Sequence, residues 1–278
     1  MWPLDFGRDC DVVRVGAHAV ELWRGFSSGL AMVAREPLPR RGSMYDVDVL
    51  AGPLHALAAH IARARASVVL ESAFAPVLLA DTGGVLTNSQ QVEALLRHRF
   101  GLAYGGDGTD VSTWKLRTDY RFGDRYALGF ALAPGVDAAL SEAAQKAKLV
   151  FTAWRPALAW SMDLFSPSRR WPRRSGWWVW PEQDRSLLAF FRAGRVEVLN
   201  PASPHSATVR AIEQSIAIEG SRSGIDAEEK PIGVAHWHPN DRPKGVSDRV
   251  RWFPVEPMEM APVRASSRKA QDLHVAAP

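Results

Sequence analysis

Apolar and alternating segments near the start of the chain predict a three-stranded β-meander. Residues 12–15, 20–24 and 30–35 have these patterns, and the turn sequences GAH and GFSSG separate them. Hydrophobic residues then recur at helical spacing at Leu54, Leu57 and Ile61. The pattern therefore predicts three strands followed by a helix that continues to Arg65.

The same reasoning extends this first unit to residue 153. Further strands are predicted at residues 67–72, 75–80, 114–116, 126–132 and 149–153. The segment TNSQQVEALLRHRF predicts a helix capped by Asn88 or Ser89, and VDAALSEAAQKAK predicts an amphipathic helix before the last of these strands. We assign residues 1–153 to a first lobe.

The meander pattern recurs after an arginine-rich loop, SPSRRWPRRSG. Its strands are predicted at residues 177–180, 186–192 and 195–200, Ser206 is expected to cap the next helix, and PIGVAHWH predicts one more strand. These segments give a second, reduced lobe at residues 154–240 with a linker loop at 163–176. Residues 241–278 are expected to form an extended, partly mobile tail with one strand at VRWFPV.

The composition is that of a globular protein. Of 278 residues, 46% are hydrophobic and 23% are charged, and the net charge of +4 is too small to require nucleic acid or acidic lipid as a partner. The single cysteine, Cys10, excludes an internal disulfide framework and a cysteine-based zinc site. No apolar segment reaches the ~18 residues of a membrane helix, so we expect a cytoplasmic protein without an anchor of its own. Eleven tryptophans are expected to serve mainly in core packing.

The order of these segments resembles the duplicated RNase H-like fold of the actin-like superfamily. A β-meander followed by helices and strands occurs twice within residues 10–240, and SVVLESAFAPVLLA, QQVEALLRHRFG and GWWVW carry the likeness. Within the superfamily the chain looks most like the branch found in bacterial envelope machines, which includes PilM of type IV pili and the cytoplasmic part of the type II secretion protein GspL. The resemblance implies a mixed α/β fold with two lobes.

Actin-like ATPases hold nucleotide with two hairpins, and the first carries an aspartate, a glycine and small hydroxyl residues that bind magnesium and phosphate. In VVRVGAHAVELW, Arg14 stands at the aspartate position and Gly16 keeps the turn. The hydroxyl positions hold Ala17, His18 and Ala19, and Glu21 in the second strand would repel phosphate.

The second hairpin, VWPEQDRSLLAFF, departs from the family pattern as well. Trp180 stands where the second aspartate is expected, and Glu182 stands near the expected glycine. Asp184 would supply a carboxylate only if the register shifted by a few residues. The resemblance therefore implies degenerate nucleotide loops, no catalysis and no cofactor; ATP with magnesium, held through Gly16 and Asp184 or Asp5, is the alternative.

Other candidate sites match their motifs incompletely. ADTGGVL at residues 80–86 precedes a helix as an anion site would, but a glycine turn explains it more simply, and YGGDGTD lacks the lysine of a phosphate loop. His236 and His238 would share one face of a strand without a third metal ligand nearby, so a surface pair is expected. No nucleophile motif occurs, and no enzyme class is indicated.

The loop SPSRRWPRRSG is a candidate anion-binding surface. It groups four arginines around one tryptophan without an acidic residue: Arg169, Arg170, Trp171, Arg173 and Arg174. This patch could contact acidic lipid, a partner protein or nucleic-acid phosphates, or be a solvated linker.

Together, the residues and the resemblance predict a non-catalytic scaffold that binds partner proteins in a bacterial envelope assembly, of the type IV pilus or type II secretion kind. The expected partner is a membrane-associated protein that presents a short cytoplasmic segment, which would make the chain a peripheral protein at the inner membrane. Two alternatives stay open, an ATP-binding actin-like protein with an unorthodox site and a basic nucleic-acid-binding module.

Overall fold

The computed structural model describes most of the chain between residues 11 and 254. The described ranges are 11–26, 29–39, 48–61, 65–105, 110–146, 150–164, 175–200, 208–226, 230–237, 244–245 and 247–254. The arginine and tryptophan patch at residues 169–174 and most of the predicted tail lie outside them. Within these ranges no helix combines the length and the hydrophobicity needed to cross a membrane.

Strands and helices alternate along the described residues. The strands are β1 (Asp11–Val15), β2 (Ala19–Phe26), β3 (Gly29–Pro37), β4 (Arg65–Leu70), β5 (Val77–Asp81), β6 (Lys115–Asp119), β7 (Tyr126–Leu132), β8 (Val150–Pro156), β9 (Ser175–Pro181), β10 (Ser186–Arg192), β11 (Arg195–Asn200), β12 (Ile232–His236) and β13 (Val250–Pro254). The helices are α1 (Ala51–Ala58), α2 (Ser89–Tyr104), α3 (Pro134–Lys146), α4 (Ala157–Leu164) and α5 (Val209–Ser223).

Two five-stranded sheets repeat the same topology. The first has the order β3-β2-β1-β4-β8 and the second has the order β11-β10-β9-β12-β13. In each, three strands form an antiparallel meander, and the first strand of the meander begins a run of three parallel strands. The duplication predicted from the recurring meander is therefore present at the level of strand order.

The second sheet reaches beyond the predicted lobe boundary. β13 pairs in parallel with β12, so the second lobe includes residues past 240, while β8 carries the first sheet on to Pro156, past residue 153. The charged, proline-rich sequence around β13 gives little sign of this, but Val250 is buried in the core that packs on α5 and Phe253 in the core shared by the lobes.

A three-stranded sheet is inserted between β4 and β8. Its order is β5-β7-β6, and α2 covers one side through Val92, Leu96 and Phe100. The insertion also reaches the second lobe, because Asp124 in the β6–β7 turn forms an ion pair with Arg195 at the start of β11.

One hydrophobic core is shared by all three sheets. Val12 and Val69 from the first sheet and Leu128 from the inserted sheet pack in the same cluster as Trp178 and Trp180 from the second. The opposite faces of the two large sheets pack on helices: Val13 and Val15 lie against α1 and α3, and Trp177 and Val179 lie against α5. The tryptophan-rich faces therefore join the lobes, in line with the packing role predicted for these residues.

Helix ends differ in part from the predictions. Asn88 caps α2 by accepting a hydrogen bond from the Gln91 amide, as predicted. The cap of α5 is Thr208, which accepts from the Ala211 amide, and not Ser206, which lies outside the described residues. α1 ends at Ala58 and not near Arg65, because Arg65 already begins β4.

Two glycines of the insertion allow a matched test of its packing. A Cβ on Gly129 in β7 would lie 2.7 Å from Leu96 Cδ2, whereas one on Gly101 in α2 would meet nothing within 4 Å. We expect Gly129→Val to lower the free energy of unfolding by about 1–3 kcal/mol through overpacking. Gly101→Ala should raise it by about 0.5–1 kcal/mol because it removes a helical glycine. Urea denaturation of both variants checks this, and equal effects would contradict the packing of β7 on α2.

Candidate functional site

The turns of the two meanders meet at the boundary between the lobes. In the first, Gly16 N donates to Ala19 O at 3.0 Å; in the second, Glu182 N donates to Arg185 O at 2.7 Å. In both turns the amide of the first residue thus donates to the carbonyl three residues later. Arg14 and Trp180 each lie two residues before that first residue. Six of the seven residues singled out in these loops are buried or half-buried, and the side chain of His18 is exposed at the rim: Arg14, Gly16, Ala17, Trp180, Glu182 and Asp184.

Gln183 of the second turn clasps the first turn. Its Oε1 accepts hydrogen bonds from the amides of His18 and Ala19, both at 2.8 Å. Its Nε2 donates to Ala19 O at 3.1 Å and to Glu21 Oε1 at 3.2 Å. Both ends of the carboxamide are therefore engaged by the first hairpin, and the two backbone amides that converge on one oxygen are no longer available to another acceptor.

Gly16 makes room for this clasp. A Cβ at this position would lie 2.3 Å from Gln183 Cδ, so any side chain here would collide with the carboxamide. The glycine is explained by the close approach of Gln183, and the space above it, where the family resemblance implies a phosphate, is occupied by the chain itself.

Arg14 is buried in an ion-pair network. Its Nε donates to Glu71 Oε1 at 2.7 Å, its Nη1 donates to Glu21 Oε2 at 3.2 Å, and its guanidinium lies 4.9 Å from the centroid of the Trp237 ring. A buried cation needs such partners because an uncompensated charge away from water is costly. Arg14 thus neutralises acids of its own lobe and packs on an aromatic residue of the other.

Trp180 continues this contact as part of an aromatic cluster. The rings of Trp160 and Trp237 are stacked at 4.8 Å with an interplanar angle of 13°. Trp180 meets both edge-on, at 6.1 and 5.9 Å, and Trp23 of β2 lies 5.2 Å from Trp237. All four are buried. The position where the second hairpin would need an aspartate is therefore filled by an indole in the shared core.

Glu182 and Glu71 form a second buried contact between the lobes. Glu182 Oε1 accepts from Ser72 N at 2.8 Å, and its Oε2 is in close contact with Ser72 Oγ. Glu71 Oε2 accepts a hydrogen bond from the backbone amide of Gln183 at 2.9 Å. Burial, together with the nearby charge of Glu71, raises the pKa of Glu182 to about 8. Burial also raises the pKa of Glu71, with Arg14 and the Gln183 amide opposing it.

Asp184 completes a group of three carboxylates. One oxygen each from Glu71, Glu182 and Asp184 lies within 4.8 Å of the others, a spacing that a divalent cation could span. Burial is the largest single influence and raises the pKa of Asp184, but the hydrogen bond and the charge of Arg185, together with smaller contributions, outweigh it, so the pKa is lowered. Each carboxylate already has an internal partner: Glu71 has Arg14, Glu182 has Ser72 and Asp184 has Arg185. The three would have to leave these partners before they could hold Mg²⁺ for a nucleotide.

The remaining candidates lie elsewhere. ADTGGVL forms a tight turn in which Asp81 accepts from the Gly83 amide and both glycines have positive φ. His236 is 1% exposed in β12, so the expected surface pair is wrong for this residue, because β12 lies between β9 and β13 with both faces covered; His238 is outside the described residues.

Sequence reasoning missed the residues that make the contact. No sequence motif marks Gln183, and the predicted strand at residues 67–72 includes Glu71 and Ser72. They lie instead in the turn after β4, where Phe74 N and Ala75 N donate to Glu71 O. The available signal is positional: Glu71 follows β4, the parallel neighbour of β1, and Gln183 follows β9, the strand of the second sheet that corresponds to β1.

Comparisons with known proteins identify the fold. No protein-family model matches the chain, and no curated protein matches its sequence. Among solved structures, a protein of unknown function with an actin-like ATPase fold from Bacteroides thetaiotaomicron matches with a TM-score of 0.50 and 10% identity, over 86% of this chain and 87% of that one. The cytoplasmic domain of EpsL, an inner membrane component of the type II secretion system of Vibrio cholerae, matches with a TM-score of 0.50 and 10% identity, over 88% and 89%. A PilM–PilN type IV pilus biogenesis complex matches at 0.45 and 13% identity, over 79% and 67%.

These likenesses establish an actin-like ATPase fold, as the sequence predicted. They extend over most of the chain, so the repeated sheets and the insertion belong to one such fold. At this level of identity they carry the fold alone and leave the role of the site to its own geometry.

The clasp can be tested with a double-mutant cycle. Gln183→Ala removes the carboxamide, and Gly16→Ala should push it out, so each change should cost about 1–3 kcal/mol of unfolding free energy. Since both break the same contact, the double variant should cost little more than Gln183→Ala alone. Chemical denaturation of the four proteins measures this.

The control for this cycle is Gly52→Ala in α1, where a Cβ would meet nothing within 4 Å. Its effect should simply add to that of Gln183→Ala. Additive costs for Gly16→Ala and Gln183→Ala would show that the two residues do not depend on each other.

Proposed function

We propose that this chain is a non-catalytic, actin-like component of a bacterial envelope assembly of the type IV pilus or type II secretion kind. Its task is to bind a membrane-associated protein through a short cytoplasmic segment of that partner. The observation that carries the non-catalytic part is the clasp of Gln183 on the first hairpin.

The clasp replaces a nucleotide in two ways. Gln183 Oε1 accepts hydrogen bonds from the amides of His18 and Ala19, the donors that a phosphate oxygen would use. The backbone amide of Gln183 donates to Glu71. The surrounding charges also disfavour a polyphosphate, because the two arginines at the contact, Arg14 and Arg185, are already paired with three carboxylates: Glu21, Glu71 and Asp184. A neutral amide fits this setting better than an anion does.

The envelope setting is proposed from the structural neighbours. EpsL is described as an inner membrane component of a secretion system, and its cytoplasmic domain shares this fold over nearly the whole of both chains. In that system a cytoplasmic domain of this fold belongs to an inner membrane component. The nucleic-acid alternative has no comparable support, since its arginine patch lies outside the described residues.

β3 is the edge that best fits an extended partner segment. It is one of the two outer strands of the first sheet, and Met32 and Val33 are 46% and 40% exposed, with Val33 at a bulge in the pairing of β3 with β2. An edge strand presents unpaired backbone groups, and an exposed apolar edge without charges favours strand addition. Residues 30–34 read LAMVA, and Arg35 is the first charged residue after them.

The nucleotide part is tested by thermal unfolding with MgATP. We expect the melting temperature of the wild-type protein to stay unchanged, and that of Gln183→Ala as well, because the carboxylates remain. A bound ligand at 100 times its Kd would add about 2.7 kcal/mol to the stability, which is easily detected. A rise with MgATP in the wild-type protein would overturn the non-catalytic proposal in favour of the ATP-binding alternative.

The partner part is tested by fluorescence anisotropy with labelled peptides. The peptides are the cytoplasmic segments of single-span inner membrane proteins of the source cell's pilus and secretion systems, with scrambled versions as controls. One segment should bind, and Met32→Glu with Val33→Glu should weaken it at least about tenfold, or 1.4 kcal/mol. Ile218→Glu on α5, also an exposed apolar position, should leave it unchanged. The proposal would be contradicted if no segment bound the wild-type protein. It would also be contradicted if Ile218→Glu weakened the binding as much as Met32→Glu with Val33→Glu.

A further inference from the structure

We propose that the contact between the lobes holds one exchangeable proton on Glu182, and that release of this proton loosens the contact between the two hairpins. The inference concerns the lobe interface itself and stands whether or not the partner proposed above is correct.

The surroundings of Glu182 contain more acids than bases. The carboxyl is 2% exposed. The titratable or charged groups near it come from the first hairpin, the turn after β4, its own hairpin and the end of α2: Arg14, His18, Glu21, Glu71, Asp184, Arg185 and Tyr104.

Neither arginine forms a described ion pair with Glu182, and Arg185 acts on it only through a longer-range charge interaction. Arg14 is shared by Glu71 and Glu21, and Arg185 is bound to Asp184 at 2.6 Å. The described partners of Glu182 are the amide and hydroxyl of Ser72. A carboxylate without a cation in a buried place is strongly disfavoured, so the neutral acid is the stable form.

The neutral acid also suits the hydrogen bonds. Ser72 N donates to Oε1, which leaves Oε2 to carry the proton and to donate it to Ser72 Oγ. Glu71, held by Arg14, is then the ionised member of the pair.

Ionisation of Glu182 would oppose lobe closure. Glu71 belongs to the first lobe and Glu182 to the second, so two adjacent buried carboxylates would repel each other across the interface. The pKa of Glu182 is about 8 in the folded protein against 4.5 for the free side chain. The folded state therefore binds the proton more tightly, and stability is greatest below pH 4.5 for this group and declines as the pH rises through 8.

The test uses the full chain with ¹³C-labelled glutamate side chains. The wild-type protein should show one glutamate carboxyl signal that titrates near pH 8, and Glu182→Gln should lack it. As the pH rises over the same range, acrylamide quenching of the interface tryptophans should increase in the wild-type protein. In Glu182→Gln, whose side chain stays neutral, the quenching should not change. Glu93→Gln, at an exposed carboxylate, is the matched control and should behave like the wild-type protein.

Other outcomes would overturn the proposal. These are a wild-type protein without a glutamate signal near neutral pH, or a quenching transition that persists in Glu182→Gln. A signal that disappears in Glu71→Gln and persists in Glu182→Gln would place the proton on the other acid. If Mg²⁺ suppressed the titration and EDTA restored it, the three carboxylates would be a metal site and not a proton site.

Discussion

The structure depends on one carboxamide that holds two hairpins together. Gln183 brings the second meander onto the first, and the same approach places Glu182 beside Ser72 and the Gln183 amide beside Glu71. The tryptophan cluster and the Arg14 network lie directly behind this contact, on the faces that the two large sheets turn toward each other. If the turns did not meet, the tryptophan cluster and the Arg14 network would be exposed to water.

An internal ligand has different physical consequences from a bound one. A nucleotide that joins two lobes loses translational and rotational entropy each time it binds, and the fraction of protein that holds it depends on its concentration. A side chain that joins them is always present, and a neutral one can sit among carboxylates that would repel phosphate. The acids at the contact fit this setting: Glu21 accepts from Gln183, and Glu71 and Glu182 take part in the same interface.

Much of the fold could be predicted because it depends on local patterns. Alternation and turn residues located the two meanders, and the Asn88 cap located α2. The sequence of β13 is charged and rich in proline, which favours a tail, and its place is fixed only by pairing with β12.

Prediction of the site is limited in the same way, because its contacts join distant parts of the sequence. The departures at Arg14 and Trp180 can be predicted from the family pattern. The partners Glu71, Ser72 and Gln183 lie 57 to 165 residues away from the groups that they contact, and no local pattern links them.

β13 has a consequence for how the chain becomes folded during synthesis. It comes last among the described strands, yet it forms the outer strand of the second sheet, and Phe253 belongs to the core that the lobes share. Until residue 254 has left the ribosome, β12 has an open parallel edge and Trp178 lacks the ring that packs 5.3 Å from it. An emerging chain therefore carries an uncovered aromatic surface and a free strand edge at the same time, the combination that favours wrong pairing with another chain and engagement by chaperones.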